Sequence, residues 1–551
     1  MDGDGCRVTL ESLLQDIPYT VLQTGGGLSQ EISSITIDSR KITVGGLFIC
    51  LLGLTVDGHK YIDDVASKGA GAVLVELPNN LPLWPENSGR VHPRPPDYNP
   101  AAKISYPEGI TVIQVENTRK SMAYIASNAH GRPAGKLKLI GVTGTNGKST
   151  TTHFIEDILL GSGYKTGLIG TNGARVGHAP IDIPFSTSTT PDPLELHEIF
   201  AHMLENGVEY VIMEVSSHAL AFYKMEGLLF EVGVFTNLTQ DHLDLHGTMD
   251  NYRLAKAQLF AQSRFAVVNA DDESTEMMLR YHGSDPYVTY GIDNDAELKA
   301  LHIEYLDDGV AFDILTNDAK PPAKQRIGAP IIDARYRLRR ATGRSSPKQH
   351  RITIKAKARF NVYNALAAIG TCRHLGLSMT QICRANIRGV PGRVQDVPNK
   401  LGVHVLVDYA HTPDGIKNVI SSVREFTSGR VIIIFGCGGD RDSLKRPDMG
   451  SIAGELADYC IITSDNPRTE CPEKIISQIE EGVKPTNVQY EICENRRDAI
   501  FAGIRMLNPK DALIIAGKGH EDYQIIGKET RYFSDYETAL EALSYKEGIC
   551  D

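Results

Sequence analysis

The chain has 551 residues, 41% hydrophobic and 23% charged. These proportions exclude a disordered, fibrous or membrane-embedded protein and leave room for about three or four domains of roughly 100–200 residues each. Acidic residues outnumber basic ones by 68 to 57, giving a net charge of −11, which disfavours a nucleic-acid partner. The nine cysteines are dispersed and form no C-x-x-C pair, so no zinc site or dithiol motif is signalled, and reduced thiols are expected. The N-terminal run MDGDGCRVTLESLL lacks the basic and apolar regions of a signal peptide. A cytoplasmic protein without membrane insertion is expected.

In chain order, the first block covers residues 1–115. Strands are expected at Ser34–Ile37, Leu47–Leu52 and Ala72–Val75, with a helix at Tyr61–Lys68. Residues 78–108, rich in proline, asparagine and charge, read as a surface insertion. The second block, 116–390, has an apolar run at Leu137–Val142 and a helix signal from Lys148 to Leu160. Buried strands are expected at Leu168–Gly170, Tyr210–Val215, Val232–Thr236 and Ala266–Asn269. Apolar strands alternating with helices imply a mostly parallel sheet covered on both faces. Residues 318–351 interrupt this block with the basic runs YRLRR and GRSSPKQHR, read as a solvated insertion ahead of a polyanion contact. The third block, 391–551, has strands at Val403–Val407, Val431–Phe435, Tyr459–Thr463 and Ala512–Ala516. Helices at Pro413–Phe426 and Glu473–Glu481 complete a second, doubly wound, Rossmann-like α/β unit.

The sharpest motif is GVTGTNGKST, Gly141–Thr150, between a strand and a helix. Backbone amides of Gly144–Lys148 can wrap phosphate oxygens at the helix N-terminus; Lys148 would neutralise the β- and γ-phosphates, and the Ser149 hydroxyl would ligate Mg²⁺. Glu214 closes the strand of MEVSSHAL, where open α/β sheets hold ligands, and a carboxylate there suits a hard cation. His242, in FTNLTQDHLDLHG, is a candidate metal ligand. Lys256, in YRLAKAQLF, would by itself be a solvated lysine on an amphipathic helix.

The run GTNGKST and the motifs after it resemble the Mur ligase superfamily, ATP-dependent enzymes that join an amino acid to a carboxylate; folylpolyglutamate synthetases belong to the same superfamily. The resemblance covers nearly the whole chain apart from the two insertions. It implies three domains: a uridine-binding N-terminal domain, a central phosphate-loop ATPase and a C-terminal amino-acid-binding domain. It places Gly144, Thr145, Asn146, Gly147, Lys148, Ser149 and Thr150 around ATP. Asn361 and Asn364 of RFNVYNALAA would lie near adenine. Arg393 of the VPGR linker would approach the phosphates, and Asp408 and His411 of VDYAHTP would contact the nucleotide. Lys256 would be carbamylated by CO₂ and would join Ser149, Glu214 and His242 as magnesium ligands. Lys148, Glu214, His242, Lys256 and Arg393 form the implied catalytic set.

The same resemblance speaks to substrate. TSDNPRTE, with Asp465, Asn466, Pro467 and Arg468, is similar to Mur ligases that add meso-diaminopimelate to UDP-MurNAc-L-Ala-D-Glu in peptidoglycan synthesis; lysine-adding relatives typically lack that arginine. Arg441 of GCGGDRD, with Gly517 and Glu521 of AGKGHEDYQ, would complete a site for two amino-acid head groups. Ile37, Ser39, Leu54, Thr55 and Val56 would face the UDP group. Ser188, Thr189, Thr190 and Ser216 would touch the muramoyl peptide. Phe222 and Lys224 stand where some relatives carry glutamine and arginine, a departure that removes a guanidinium fork. A monomer working on small molecules is expected. The rivals are a lysine-adding or other Mur-type ligase and a non-catalytic structural relative, against which Lys148, Glu214 and Lys256 all weigh.

Overall fold

The computed structural model describes residues 8–76, 89–91, 105–187, 189–316 and 348–550. The first sheet has the order Thr20–Gln23, Thr111–Val115, Ala72–Glu76, Leu47–Ile49, Ile35–Thr36, and only its Thr20–Gln23 edge is antiparallel. Strand alternation assigns its two faces. Ala72 and Leu74 pack with Leu10, Leu13, Met122 and Ile125, while Val73 and Val75 pack with Ile62 and Val65. The helix Thr118–Ala129 therefore belongs to this unit, beyond the boundary expected at residue 115. Its start is fixed by Asn117, whose side chain accepts from the Lys120 amide at 2.8 Å.

The strand expected at Leu47–Leu52 stops at Ile49. The chain then turns, with the Gly53 amide donating to the Val56 carbonyl at 2.9 Å. The helix expected at Tyr61–Lys68 opens as a 3₁₀ turn at Gly58–Tyr61, capped by Asp57, and becomes α-helical at Ile62–Ser67.

Eleven described strands make the central sheet. Its parallel part runs Leu298–Leu306, Tyr287–Gly291, Ala266–Asn269, Phe230–Phe235, Lys138–Thr143, Tyr210–Glu214, Thr166–Gly170. On one face, Ile140 and Val142 meet Phe154, Ile158, Val362 and Leu366 from the helices Lys148–Gly161 and Arg359–His374. On the other, Leu139 meets Phe200, Leu259 and Phe260 from Pro193–Glu205 and Met249–Ala261. An antiparallel meander, Leu298–Leu306, Gly309–Thr316 and Lys348–Ile354, extends one edge. Residues 348–351, expected to end the basic insertion as loop, thus pair in a sheet. Ile352 and Ile354 anchor that strand in the core.

The third sheet runs Gln395–Asp396, His404–Asp408, Ala512–Ala516, Val431–Phe435, Tyr459–Ile462, Gln489–Ile492, parallel except at its first edge. The carboxyl ends of the central and third sheets carry the candidate site. Beneath the third sheet, Arg496 and Asp535 form a fully buried bidentate pair, Nε to Oδ1 2.7 Å and Nη2 to Oδ2 2.6 Å. Removing one partner strands a buried charge. Arg496→Ala should cost about 3–5 kcal/mol, read as a fall in the melting temperature of the C-terminal unit by calorimetry.

Candidate active site

The phosphate loop follows the strand Lys138–Thr143 and opens the helix Lys148–Gly161. Its glycines are required by geometry. Gly144 has φ +153°, and a Cβ there would sit 1.8 Å from Thr236 Oγ1; Gly147 has φ +83°, and a Cβ would sit 2.4 Å from Asn364 Oδ1. Asn364 and Asn361 are buried beneath the loop, hydrogen-bonded to each other at 3.0 Å. Two of the loop amides expected to wrap phosphate are taken by a neighbouring segment. Thr145 N donates to Asn237 O and Asn146 N to Asn237 Oδ1, each at 2.9 Å. The amides free of intrahelical partners are those at the start of the helix, beyond Gly147. Thr150, in the first turn, is buried.

Lys148 Nζ donates to the carbonyls of Gly144 and Thr145 at 3.0 and 2.9 Å, and burial lowers its pKa. Lys256 is 1% exposed, so the solvated alternative fails. Its Nζ donates to the same Gly144 carbonyl at 2.7 Å and lies 4.5 Å from the Tyr252 ring centroid. Burial, reinforced by the nearby Lys148 charge, holds its pKa well below the usual lysine range.

Glu214 is 1% exposed at the end of its strand. Ser149 Oγ donates to Oε2 at 3.0 Å, Thr171 N donates to Oε1 at 3.0 Å, and Thr171 Oγ1 stands 3.3 Å from Oε2. Gly170 leaves the necessary room, since a Cβ there would lie 2.2 Å from Oε1. The buried hydroxyl and carboxylate make an all-oxygen donor pair fitted to a hard cation that takes its remaining ligands from phosphate and water. Among the described residues no three His, Cys, Asp or Glu side chains form a metal cluster of their own. His242 has φ +54° and stands beside Asp241, with 3.5 Å between Nε2 and Oδ2. Partial desolvation lowers its pKa, against the opposing pull of the Asp241 carboxylate. His218 stacks edge-on against it at 4.7 Å, and His246 donates to or accepts from Ser217 Oγ at 3.0 Å.

On the acceptor side, Thr190 Oγ1 donates to the Glu214 carbonyl at 3.0 Å and receives the Ser216 amide at 3.1 Å. Thr189 and Thr171 hydroxyls stand 3.4 Å apart. Ser188 lies outside the described residues. Phe222 is buried, and Lys224 is buried in an ion pair with Asp192 at 2.7 Å. Ile37, Leu54 and Val56 are exposed apolar side chains at the carboxyl-end loops of the first sheet, with Thr55 between the last two. Ser39 receives Lys68 Nζ on its carbonyl at 3.1 Å.

The third unit docks onto the loop. Arg393 Nη2 is 3.4 Å from Ser149 Oγ, with its guanidinium 4.5 Å from the Tyr409 ring centroid. Asp414 Oδ2 accepts from Asn146 Nδ2 at 2.9 Å. Asp408 is buried and accepts the Val394 and Ala410 amides, both at 2.8 Å. His411 bonds to the Tyr409 carbonyl at 2.8 Å. Farther out, Arg468 Nη1 donates to Gly439 O at 2.7 Å, beside Arg441 on the same glycine loop. Pro467 is buried against Gly439. Asn466 Nδ2 donates to Glu521 Oε2 at 2.9 Å, and fully buried Lys518 bridges Asn466 Oδ1 and Glu521 Oε2 at 3.2 and 3.1 Å. A Cβ on Gly517 would lie 2.4 Å from Asp465 Oδ2.

Sequence reading missed Thr171, Asp241, Asp414 and Lys518. The last three sit inside or beside the quoted motifs DHLD, VDYAHTP and AGKGHE, but nothing in their spacing marks them out.

The phosphate loop, the strand-end carboxylate and a second α/β unit docked on the loop define a nucleotide-binding site shared between two units. The Mur ligase middle domain model matches residues 142–372, the glutamate ligase domain model 392–519, and the Mur ligase family catalytic domain model 31–130. A Clostridioides difficile protein named UDP-N-acetylmuramoyl-L-alanyl-D-glutamate–2,6-diaminopimelate ligase is 41% identical over 95% of this chain and 97% of its own. One of the same name from Bacillus cereus is 39% identical over 97% and 98%. A solved structure of a ligase of that name superposes with a TM-score of 0.62 at 24% identity, covering 98% of this chain and 99% of its own. The MurF ligase from Thermotoga maritima, solved in complex with ADP, gives 0.56 at 14% identity over 94% and 98%. The chain belongs to the Mur ligase family of ATP-dependent amide ligases. No described helix is long and apolar enough to cross a membrane.

Gly147→Ala should displace Asn364 and the loop and lower ATP-dependent phosphate release by about 100-fold, the scale of a misplaced reacting group. Gly135→Ala, at ordinary φ and with nothing within 4 Å of the added Cβ, serves as the control and should keep most activity.

Proposed function

We propose that the protein adds meso-diaminopimelate to UDP-MurNAc-L-Ala-D-Glu at the expense of ATP, in peptidoglycan synthesis. The arrangement that carries this reading is the cluster of Arg468, Arg441, Asn466 and Glu521, held from beneath by buried Lys518, in the unit that closes on the phosphate loop. It offers cations for a carboxylate and an anion for an ammonium beyond the reacting amine, as a two-headed amino acid requires. The names of relatives near 40% identity over almost the full chain support the same substrate pair.

In this mechanism the helix-start amides and Lys148 hold the ATP phosphates, with Arg393 reaching them from the third unit. Thr190 and Ser216 place the acceptor near Glu214. A γ-carboxylate oxygen of the D-glutamate attacks the γ-phosphorus and ADP leaves, giving an acyl phosphate. The diaminopimelate amine then attacks the acyl carbon, loses a proton, and the tetrahedral intermediate expels phosphate. Magnesium held by Ser149 and Glu214, with His242 and a carbamylated Lys256, would lower the repulsion between the two anions. The low pKa of Lys256 favours the neutral amine that CO₂ requires. Docking of the third unit excludes water from the acyl phosphate.

The decisive assay measures phosphate release from ATP and UDP-MurNAc-dipeptide with meso-diaminopimelate, L-lysine or L-ornithine. Release is expected with diaminopimelate; release with lysine alone would overturn the specificity, and none with any amino acid would overturn the reaction. Arg468→Ala should raise the diaminopimelate KM roughly ten- to a hundredfold, the range for a lost charged hydrogen bond, and leave the ATP KM unchanged. Lys256→Ala should lose activity and regain part of it with added short carboxylates; an unaffected variant would refute the carbamate.

A further inference from the structure

The N-terminal unit meets the central one at a charge cluster that the assignment above uses only in part. Arg119, in the first turn of Thr118–Ala129, reaches out of its own unit, its guanidinium 4.9 Å from the Phe222 ring centroid. Nη2 donates to the Leu52 carbonyl at 2.8 Å, while the buried Nε has no hydrogen-bond partner among the described residues. Two residues past Phe222, Lys224 is already matched: Asp192 lies at 2.7 Å and Thr187 Oγ1 at 3.4 Å. Arg119 also bears on Asp192, so one carboxylate faces two cations. The other nearby carboxylate, Glu76, is occupied by the Thr118 amide and hydroxyl at 2.8 and 3.1 Å. The junction therefore sets two cations against two carboxylates yet leaves Arg119 Nε an unmet donor, in a place where a buried N–H without a partner is costly.

Its location gives the unmet donor a meaning. Leu52 leads into the exposed Leu54–Val56 turn assigned to the uridine end, and Thr187 leads through Thr189 and Thr190 to Ser216 and Glu214 at the reacting end. Arg119 stands between these ends, in contact with both walls. We propose that Arg119 is a specificity-determining residue that binds an anionic group of the acceptor lying between uridine and the reacting carboxylate. That group is either the diphosphate or the non-reacting α-carboxylate of the glutamate. A guanidinium fork suits both, whereas Lys224 is a point charge already paired. The inference rests on the acceptor assignment made above.

The test uses the full chain and the variants Arg119→Gln and Arg119→Lys, with calorimetric titration of UDP and of UDP-MurNAc-L-Ala-D-Glu beside steady-state kinetics. Arg119→Gln should weaken acceptor binding and raise the acceptor KM at least about tenfold, as loss of a charge-assisted hydrogen bond does, at unchanged ATP KM and melting temperature. Arg119→Lys should recover part of the loss. Weakened UDP binding assigns the diphosphate; weakening confined to the complete acceptor assigns the α-carboxylate. Unchanged acceptor affinity in Arg119→Gln, or a fall in kcat alone, overturns the proposal. If the unaltered protein binds the acceptor but does not ligate diaminopimelate, the reaction is refuted and the Arg119 binding arms still decide. If it binds neither UDP nor acceptor, both readings fall.

Discussion

Two lysine side-chain nitrogens converge on one backbone carbonyl. Lys148 and Lys256, 108 positions apart, both donate to Gly144 O, at 3.0 and 2.7 Å. In a buried pocket the Lys148 charge opposes protonation of its neighbour, so Lys256 is held toward the neutral amine, while Glu214 and Asp241 favour the charged form of Lys148. Much of the architecture serves to hold that pair in place. The helix Met249–Ala261 is pinned to the sheet by Leu259 and Phe260, which aims Lys256 inward. The glycines of the loop let Thr236 and Asn364 press against its backbone from two sides. A polyanion such as ATP favours the charged form of Lys148 beside it, and an uncharged ligand of the same shape would not.

The third unit completes this field. Arg393 adds a further cation near Ser149, while Asp414 takes hold of Asn146. The linker reaches this position through Gly392, where φ is +71° and a Cβ would lie 2.1 Å from the His520 amide. The proposed reaction suits such an assembly. Its acyl phosphate would be open to water, so the groups that stabilise it would also have to enclose it.

The fold was readable at several strands buried on both faces, although Thr111–Val115, almost as buried, went unread. Val431–Phe435 and Ala512–Ala516 are continuous apolar runs and were bounded to the residue. Thr20–Gln23, mostly exposed, and Tyr287–Gly291, half-buried over its first three residues, carry no such signal and went unread. In the site, Glu214 was legible because a carboxylate ending an apolar strand is conspicuous. Lys256 needed the family resemblance, since its burial depends on which face of its helix meets the sheet. Asp414 and Arg119 were beyond reach: their meaning comes from Asn146 and Phe222, partners more than 100 residues away in sequence.

The Asn146–Asp414 hydrogen bond makes the phosphate loop part of an interdomain contact as well as a ligand cradle. Reciprocity binds the two roles together: by whatever factor nucleotide strengthens that contact, docking of the third unit strengthens nucleotide binding. The same unit carries the candidate amino-acid site and reaches the loop twice, through Asn146 and through Arg393 beside Ser149.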